Sequence, residues 1–257
     1  MKSYCFKLYQ SERNAKLNKQ TNAAGMIYNH CIALRRRYYE IFDKYLKPFT
    51  LQKHLTKLKR IEKFSYLREI GSQAVQDVAE RIDRAYRLFF RNLERKIRCS
   101  PPKFKKVRKY KSFTLKQHGW KLDEATHTIR INGQNFRYFQ SRLITGKIKT
   151  VTIKRDRVGD LYVYLVTDAK DFEFETRTGE SVGFDFGLKK FLTASDGKDI
   201  QSPLFFAENA KLIKKACKSL SRKVKGSSNR ERARLKLARI YRRTFNQRHD
   251  FHFNFGI

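Results

Sequence analysis

Val182-Gly183-Phe184-Asp185-Phe186-Gly187-Leu188, continued by Lys189-Lys190-Phe191-Leu192-Thr193-Ala194-Ser195-Asp196-Gly197, is the stretch around which the rest of the chain is organised. Alternation predicts a strand over residues 181–186, Gly187 permits a tight reversal, residues 191–195 read as the returning strand, and Asp196-Gly197 is a two-residue hairpin signal. Val182, Phe184 and Phe186 fall on one face, so Asp185 projects to the other, near the strand's end and beside a glycine with no side chain. A carboxylate there can reach a metal ion. Taken alone, the commoner reading of such a residue is a partly exposed acid ending an ordinary strand.

Two other folds use similar triplets. Asp185-Phe186-Gly187 spells the magnesium-binding triplet of protein kinases, but no glycine-rich loop precedes it and no His-Arg-Asp catalytic loop lies upstream. An acid-x-glycine hairpin also opens the actin-like ATPase fold, which needs a second phosphate loop farther downstream than this sequence extends.

Other landmarks accompany the hairpin: Ser72-Gln73-Ala74-Val75-Gln76, then Ala85-Tyr86-Arg87-Leu88-Phe89-Phe90, Pro102-Lys103-Phe104-Lys105, Ser112-Phe113-Thr114 and Asn246-Gln247-Arg248-His249-Asp250-Phe251. In this order, with the Asp185 motif, the set resembles the TnpB (OrfB) proteins of bacterial insertion sequences, RuvC-like nucleases related to the type V CRISPR effectors. The resemblance runs almost from one end of the chain to the other.

Composition points to the same class of partner. Lys and Arg number 59 against 24 acids, a net charge of +35 in 257 residues, which repels itself in a compact state unless a polyanion neutralises it. Nucleic acid is the expected partner. No apolar run approaches a membrane span and the N-terminus lacks a signal-peptide core, so no membrane partner is expected and the location reads as cytoplasmic. The cysteines at 5, 31, 99 and 217 form no Cys-x-x-Cys pair, so no zinc is expected in this chain and buried free thiols are. TnpB proteins usually carry a four-cysteine zinc ribbon later in the chain.

Residues 3–9 read as a strand with Tyr4, Phe6 and Leu8 on one face. Apolar positions every three or four residues predict a helix over Leu17–Tyr45, closed by Pro48, with Arg35, Arg36 and Arg37 around its outside. A shorter helix carries Leu51, Leu55 and Leu58. Another runs from Ser72, the expected N-cap, through Val75, Val78, Ile82 and Phe89 to Ile97 before Pro101-Pro102. Lys103, Lys105, Lys106 and Arg108, interleaved with aromatics, have the composition of a segment that meets phosphates and stacks bases, and equally that of an exposed disordered linker. Period-two segments follow at 112–115, 128–131, 148–153 and 161–166, with Asn132-Gly133 and Gly159-Asp160 as turns. The strand at 3–9 is expected to pair back onto these and close a small barrel. Asp168, Asp171, Glu173 and Glu175 alternate with Phe172 and Phe174 and read as a solvent-facing linker edge. From Asn209 the pattern is helical again, with a turn at 226–229 and many cations, among them Lys214, Lys218, Arg222, Arg239 and Arg248. Such a basic helical hairpin suits a nucleic-acid duplex.

The resemblance implies an α+β fold: a helical recognition lobe (11–102) inserted in a small wedge β-barrel (1–10 and 103–176), followed by the first part of a RuvC/RNase H-like α/β domain (177–257). It implies guide RNA and a double-stranded DNA target as partners. It also puts Gln73 and Gln76 near the short DNA motif beside the target, where glutamine can pair bidentately with adenine. Surface glutamines that only aid solubility remain the open alternative. Phe113 joins the nucleic-acid-binding set through the Ser-Phe-Thr landmark, as do Arg35 and Arg36 through the recognition lobe. Asp185 would be the first catalytic, magnesium-binding acid. The family's second acid, a Glu, and third, an Asp, lie on later strands not reached here, so the chain is expected to be truncated. The magnesium site is then incomplete, the chain alone is not catalytic, and a complementary C-terminal fragment becomes a possible partner. Asp196 lies roughly 15 Å from Asp185 along the returning strand, too far to share an ion. An incomplete sheet would expose an edge and an apolar face. The alternatives are a nuclease-dead, RNA-guided DNA-binding repressor and a generic basic RNA-binding protein.

Overall fold

Tyr4, Phe6 and Leu8 are buried while Ser3, Cys5 and Lys7 face solvent, so β1 (Lys2–Leu8) has one face committed to a core. In this computed structural model, which describes residues 1–170, 179, 181–187 and 190–254, the chain divides into two units, Met1–Phe172 and Glu173–Ile257. β1 lies inside the sheet of the first unit. It pairs antiparallel with β7 (Leu161–Thr167), Tyr4 opposite Leu165, and with β5 (Gln134–Phe139), Lys7 opposite Phe139. With β2 (Ser112–Leu115), β3 (Trp120–Asp123), β4 (Thr128–Ile131) and β6 (Ile148–Arg155) it forms a seven-stranded antiparallel, barrel-like sheet in the order β2-β6-β7-β1-β5-β4-β3. Two expected turns are where the sequence signals them. Asn132 and Gly133, both at positive φ, join β4 to β5, and Gly159, at φ 106°, turns β6 into β7. β3 and β5 had no period-two reading.

The helices α1 (Asn14–Phe42), α2 (Pro48–Leu58) and α3 (Ser72–Glu94) are inserted between β1 and β2. Ile27, Cys31 and Ile32 of α1, Leu51 and Leu55 of α2, and Val78 and Ile82 of α3 join Phe6, Phe113, Tyr138 and Leu165 of the sheet in one continuous core. Element boundaries differ from expectation: α1 starts and ends three residues earlier than Leu17–Tyr45. Pro48 opens α2 at its first position, where no backbone N–H is missed, instead of closing α1. Ser72 is already helical; Gly71 is the cap residue and no side chain caps the helix. α3 ends at Glu94, and Lys96 takes a left-handed conformation before Ile97.

In the second unit, β8 (Phe184–Asp185), β9 (Lys190–Ala194) and β10 (Asp199–Gln201) form a sheet in the order β10-β9-β8, in which β8 and β10 are the edge strands among the described residues. The expected strand over 181–186 is helped by a bond from the Ser195 amide to the Gly183 carbonyl at 2.9 Å, but ladder pairing covers two residues. Asp196-Gly197 turns β9 into β10, Gly197 at positive φ. α4 (Phe205–Ser221) packs on α5 (Ser228–Asn254) as a helical hairpin. Of the acidic run, Asp168 is held by the Lys149 ammonium at 2.9 Å and the Lys147 amide at 2.7 Å. Asp171, Phe172, Glu173, Phe174 and Glu175 lie outside the described residues, as do Leu188 and Lys189. No described helix is long and apolar enough to cross a membrane. The cysteines differ from a uniformly buried set: Cys31 is buried, which pushes its thiol up to about 12, whereas Cys5 and Cys217 are exposed because they face outward from β1 and α4.

Candidate nucleic-acid interface and acidic hairpin

Asp185 is exposed and sits directly opposite Thr193 on β9, which in turn sits opposite Asp199 on β10. Residues opposite one another across an antiparallel ladder share a face, so both carboxylates project to one side, two strand spacings or about 10 Å apart. Asp199 is not free to join a metal centre. Hydrogen bonds from Lys190 and then Thr193 hold its carboxyl below the ordinary range. Asp196 is similarly held by Lys198 at 2.8 Å. Gly187 is required where the chain reverses: a Cβ there would lie 2.9 Å from the Lys190 carbonyl oxygen. Among the described residues no three His, Cys, Asp or Glu side chains are grouped to hold a metal ion. One exposed carboxylate and a neighbour already paired with an ammonium group do not fit a magnesium site.

The cations of α4 are grouped. Lys211, Lys214, Lys215, Lys218 and Arg222 recur at three- and four-residue spacing, opposite the buried Ile213 and Ala216. With Ser219 and Lys223 they line an open groove of about 540 Å³ that contains no carboxylate. Lys211 was not among the residues singled out from the sequence. Arg239 and Arg248 are exposed on α5.

Two expected contact residues of the first unit are internal instead. Arg35, 4% exposed, points into the helical block, where it bonds Asp83 at 3.1 Å and Tyr45. Burial opposes the Asp83 charge, but hydrogen bonds from Tyr45, Arg35 and Arg87 outweigh it and lower the carboxyl's pKa. With its charge paired inside the protein, Arg35 is not positioned to meet a phosphate. Phe113 is fully buried against the sheet core because β2 turns alternate residues inward, so its ring cannot stack on a base. Gln73 is half-buried and Gln76 exposed at the start of α3. Near them Arg81 bonds the Ser112 carbonyl at 3.0 Å and the Thr114 hydroxyl at 2.7 Å, tying α3 to β2.

Residues 102–110 are held against α1. Asn29 accepts from the Lys105 amide at 2.9 Å and donates to its carbonyl at 2.7 Å. Arg36 donates to the Pro102 carbonyl at 3.0 Å and stacks its guanidinium over Phe104 at 4.9 Å. Arg155 reaches the carbonyls of Arg108 and Tyr110 from β6 and is itself anchored on Asn18 and Asn22. Lys103, Lys105, Lys106 and Arg108 are exposed, and the Lys105 ammonium lies 4.6 Å from the Tyr28 ring centroid. Asn29 and Arg155 left no trace in sequence periodicity. Gly25 did: a glycine inside a helical pattern marks a close approach, and a Cβ on it would stand 2.8 Å from the Tyr110 Cβ.

The chain is similar to known proteins. A family model described as "Probable transposase" (OrfB_IS605) matches residues 161–255. The chain is 28% identical over 241 residues to the Escherichia coli (strain K12) protein named "Putative RNA-guided DNA endonuclease InsQ", covering 93% of this chain and 58% of that one. It is 26% identical over 254 residues to a Streptomyces pristinaespiralis protein named "Putative RNA-guided DNA endonuclease", covering 97% and 62% respectively. It therefore spans less than two thirds of either relative. Among solved structures it is similar to a chain of the cryo-EM structure of a CRISPR-Cas12f ternary complex, with a TM-score of 0.41, 13% identity, and coverage of 86% of this chain and 55% of that chain. Along nearly its whole sequence the chain is similar to both relatives, and the family match spans the Asp185 hairpin and the helical pair, so the likeness is to the TnpB-like (OrfB) proteins.

Proposed function

We propose that the chain binds a guide RNA and, through it, a double-stranded DNA target, using the groove of α4, the exposed cations of residues 103–108 and the start of α3. The observation that carries this reading is the carboxylate-free row of cations on α4, set in a chain of net charge +35. Ammonium and guanidinium groups there would meet phosphates and release counterions, while Gln73 and Gln76 would read an adenine edge in the adjoining DNA. In this reading residues 11–102 act as a recognition lobe, 1–10 and 103–176 as a wedge, and 177–257 as part of a RuvC-like domain. The protein would work in the cytoplasm. The names of both relatives support the guided, DNA-directed character.

Sequencing the RNA that co-purifies with the protein tests the proposal. One dominant species ending at a transposon boundary supports a guide; bulk ribosomal RNA overturns it in favour of a generic RNA-binding protein.

We further infer that polypeptide 1–257 alone binds without cutting, because Asp185 has no free carboxylate partner among the described residues. A magnesium-dependent nick abolished by Asp185→Ala would refute this. The edge of β8, unpaired among the described residues and carrying Phe184 with Phe186 beside it at 60% and 63% exposure, is the surface on which a complementary fragment carrying further acids would add. The same lone carboxylate favours a second reading, an RNA-guided repressor. That reading predicts reduced transcription of a reporter bearing the target, with the DNA left intact.

A further inference from the structure

We infer that residues 102–110 are a pre-ordered rail for a nucleic-acid sugar–phosphate backbone, and that Gly25 and Asn29 are the positioning residues that hold it. The inference rests on the reading that this segment meets nucleic acid, and adds how it does so.

A stretch reading Lys-Phe-Lys-Lys-Val-Arg-Lys-Tyr would be expected to order only on its ligand, because it cannot bury enough apolar surface to offset the loss of chain entropy. In the protein its order comes from α1 and β6. Among the described residues it joins no sheet ladder, and its one regular turn is Val107–Lys109. Its backbone is secured by side chains of other elements: Arg36 on Pro102, Asn29 on both polar groups of Lys105, and Arg155 on Arg108 and Tyr110. The Asn29 pair imitates a strand partner, with one donor and one acceptor satisfied at the same residue. Gly25 sets the distance of closest approach, since any side chain there would collide with Tyr110.

The pinning sorts the side chains. All five cations, Lys103, Lys105, Lys106, Arg108 and Lys109, are exposed, and Lys105 alone among them sets its ammonium over the Tyr28 ring. Phe104 is half exposed with the Arg36 guanidinium over its ring, an arrangement that can accept a stacked base. Phosphates meeting such a surface pay little further ordering entropy, so affinity depends on the pins as well as on the charges.

Binding of a short single-stranded RNA by the full chain, measured over a salt series, separates the two contributions when combined with amide hydrogen exchange. Asn29→Ala should accelerate exchange across residues 103–109 and weaken binding about tenfold, in line with removal of two hydrogen bonds, while leaving the slope of log K against log salt unchanged. Gly25→Ala should act in the same direction. Lys106→Ala with Arg108→Ala should instead lower the slope by about 0.7 for each phosphate the protein no longer neutralises and leave exchange unaltered. If Asn29→Ala does not fold, Asn29→Ser, which keeps a hydroxyl but cannot form both bonds to Lys105, serves in its place. Accelerated exchange with unchanged affinity would overturn the positioning role, as would unchanged exchange. An unaltered slope in the charge variant would instead overturn the underlying reading that this segment contacts nucleic acid.

Discussion

Phe113 and Phe184 are both phenylalanines on short strands in signature-like motifs, yet the first is fully buried and the second 60% exposed. Phe113 belongs to a unit in which a barrel-like sheet and three helices enclose one core and long polar side chains are turned inward to pin loops. Phe184 belongs to a unit in which, among the described residues, a three-stranded sheet has β8 and β10 as edge strands, and Phe186, Phe206, Phe245 and Phe253 are likewise exposed. The first unit resembles a finished scaffold. The first also exposes Phe49, Phe139 and Leu143, so what sets the second apart is a small sheet with exposed phenylalanines beside the carboxylate-free basic groove of α4.

The largest effects should distinguish the two units in stability. Phe113→Ala should destabilise the first unit by about 3–5 kcal/mol in denaturant unfolding, whereas Phe184→Ala should stay within about 0.5 kcal/mol, as for surface positions. Equal losses would break the contrast. Asp83→Ala should approach the Phe113 effect at about 3–5 kcal/mol, because it strands Arg35 inside the helical block.

Next in size is binding. Replacing Lys214, Lys218 and Arg222 by Ala should lower the salt slope of RNA binding by about 0.7 for each phosphate neutralised on a single strand without shifting the unfolding midpoint of the first unit; an unchanged slope would remove α4 from the interface.

A smaller effect comes from His30 and His54, whose rings stack 5.8 Å apart between α1 and α2. Burial first, then the neighbouring charge of His54 for His30 and of Lys57 for His54, lowers both pKa values. Each therefore takes up protons more readily when unfolded. The stability they contribute is complete above the unfolded value of about 6.5 and is lost as pH falls through the lowered folded values. The thermal midpoint of the first unit should drop over that range, and His54→Gln should flatten the drop. Asp185→Asn should have the least effect, leaving stability and RNA affinity unaltered, since the side chain is exposed on an edge strand; a measurable loss of RNA affinity would place Asp185 in the binding surface.

Local signals were legible. The alternation at Tyr4, Phe6 and Leu8, the Asn132-Gly133 and Asp196-Gly197 turns, and the spacing of α4 are written in near-neighbour residues, whose conformations depend on nearby sterics and one-sided burial. Pairings distant in sequence were not. Arg35 reads as one more surface arginine until Asp83 is brought beneath it, and β5, to which no strand was assigned from sequence, is set between β1 and β4 by pairing.

For this chain the residues by themselves determined the kind of elements present, their order, the cationic character and the family likeness, because period, turn chemistry and charge are local or additive properties. The tertiary structure alone decided which cations face out and which are consumed inside, that Asn29 and Gly25 hold residues 102–110 in place, and that Asp199 shares a face with Asp185 but is tied to Lys190. Those outcomes depend on which distant side chains folding brings within a few ångströms, where burial and pairing decide whether a charge remains available.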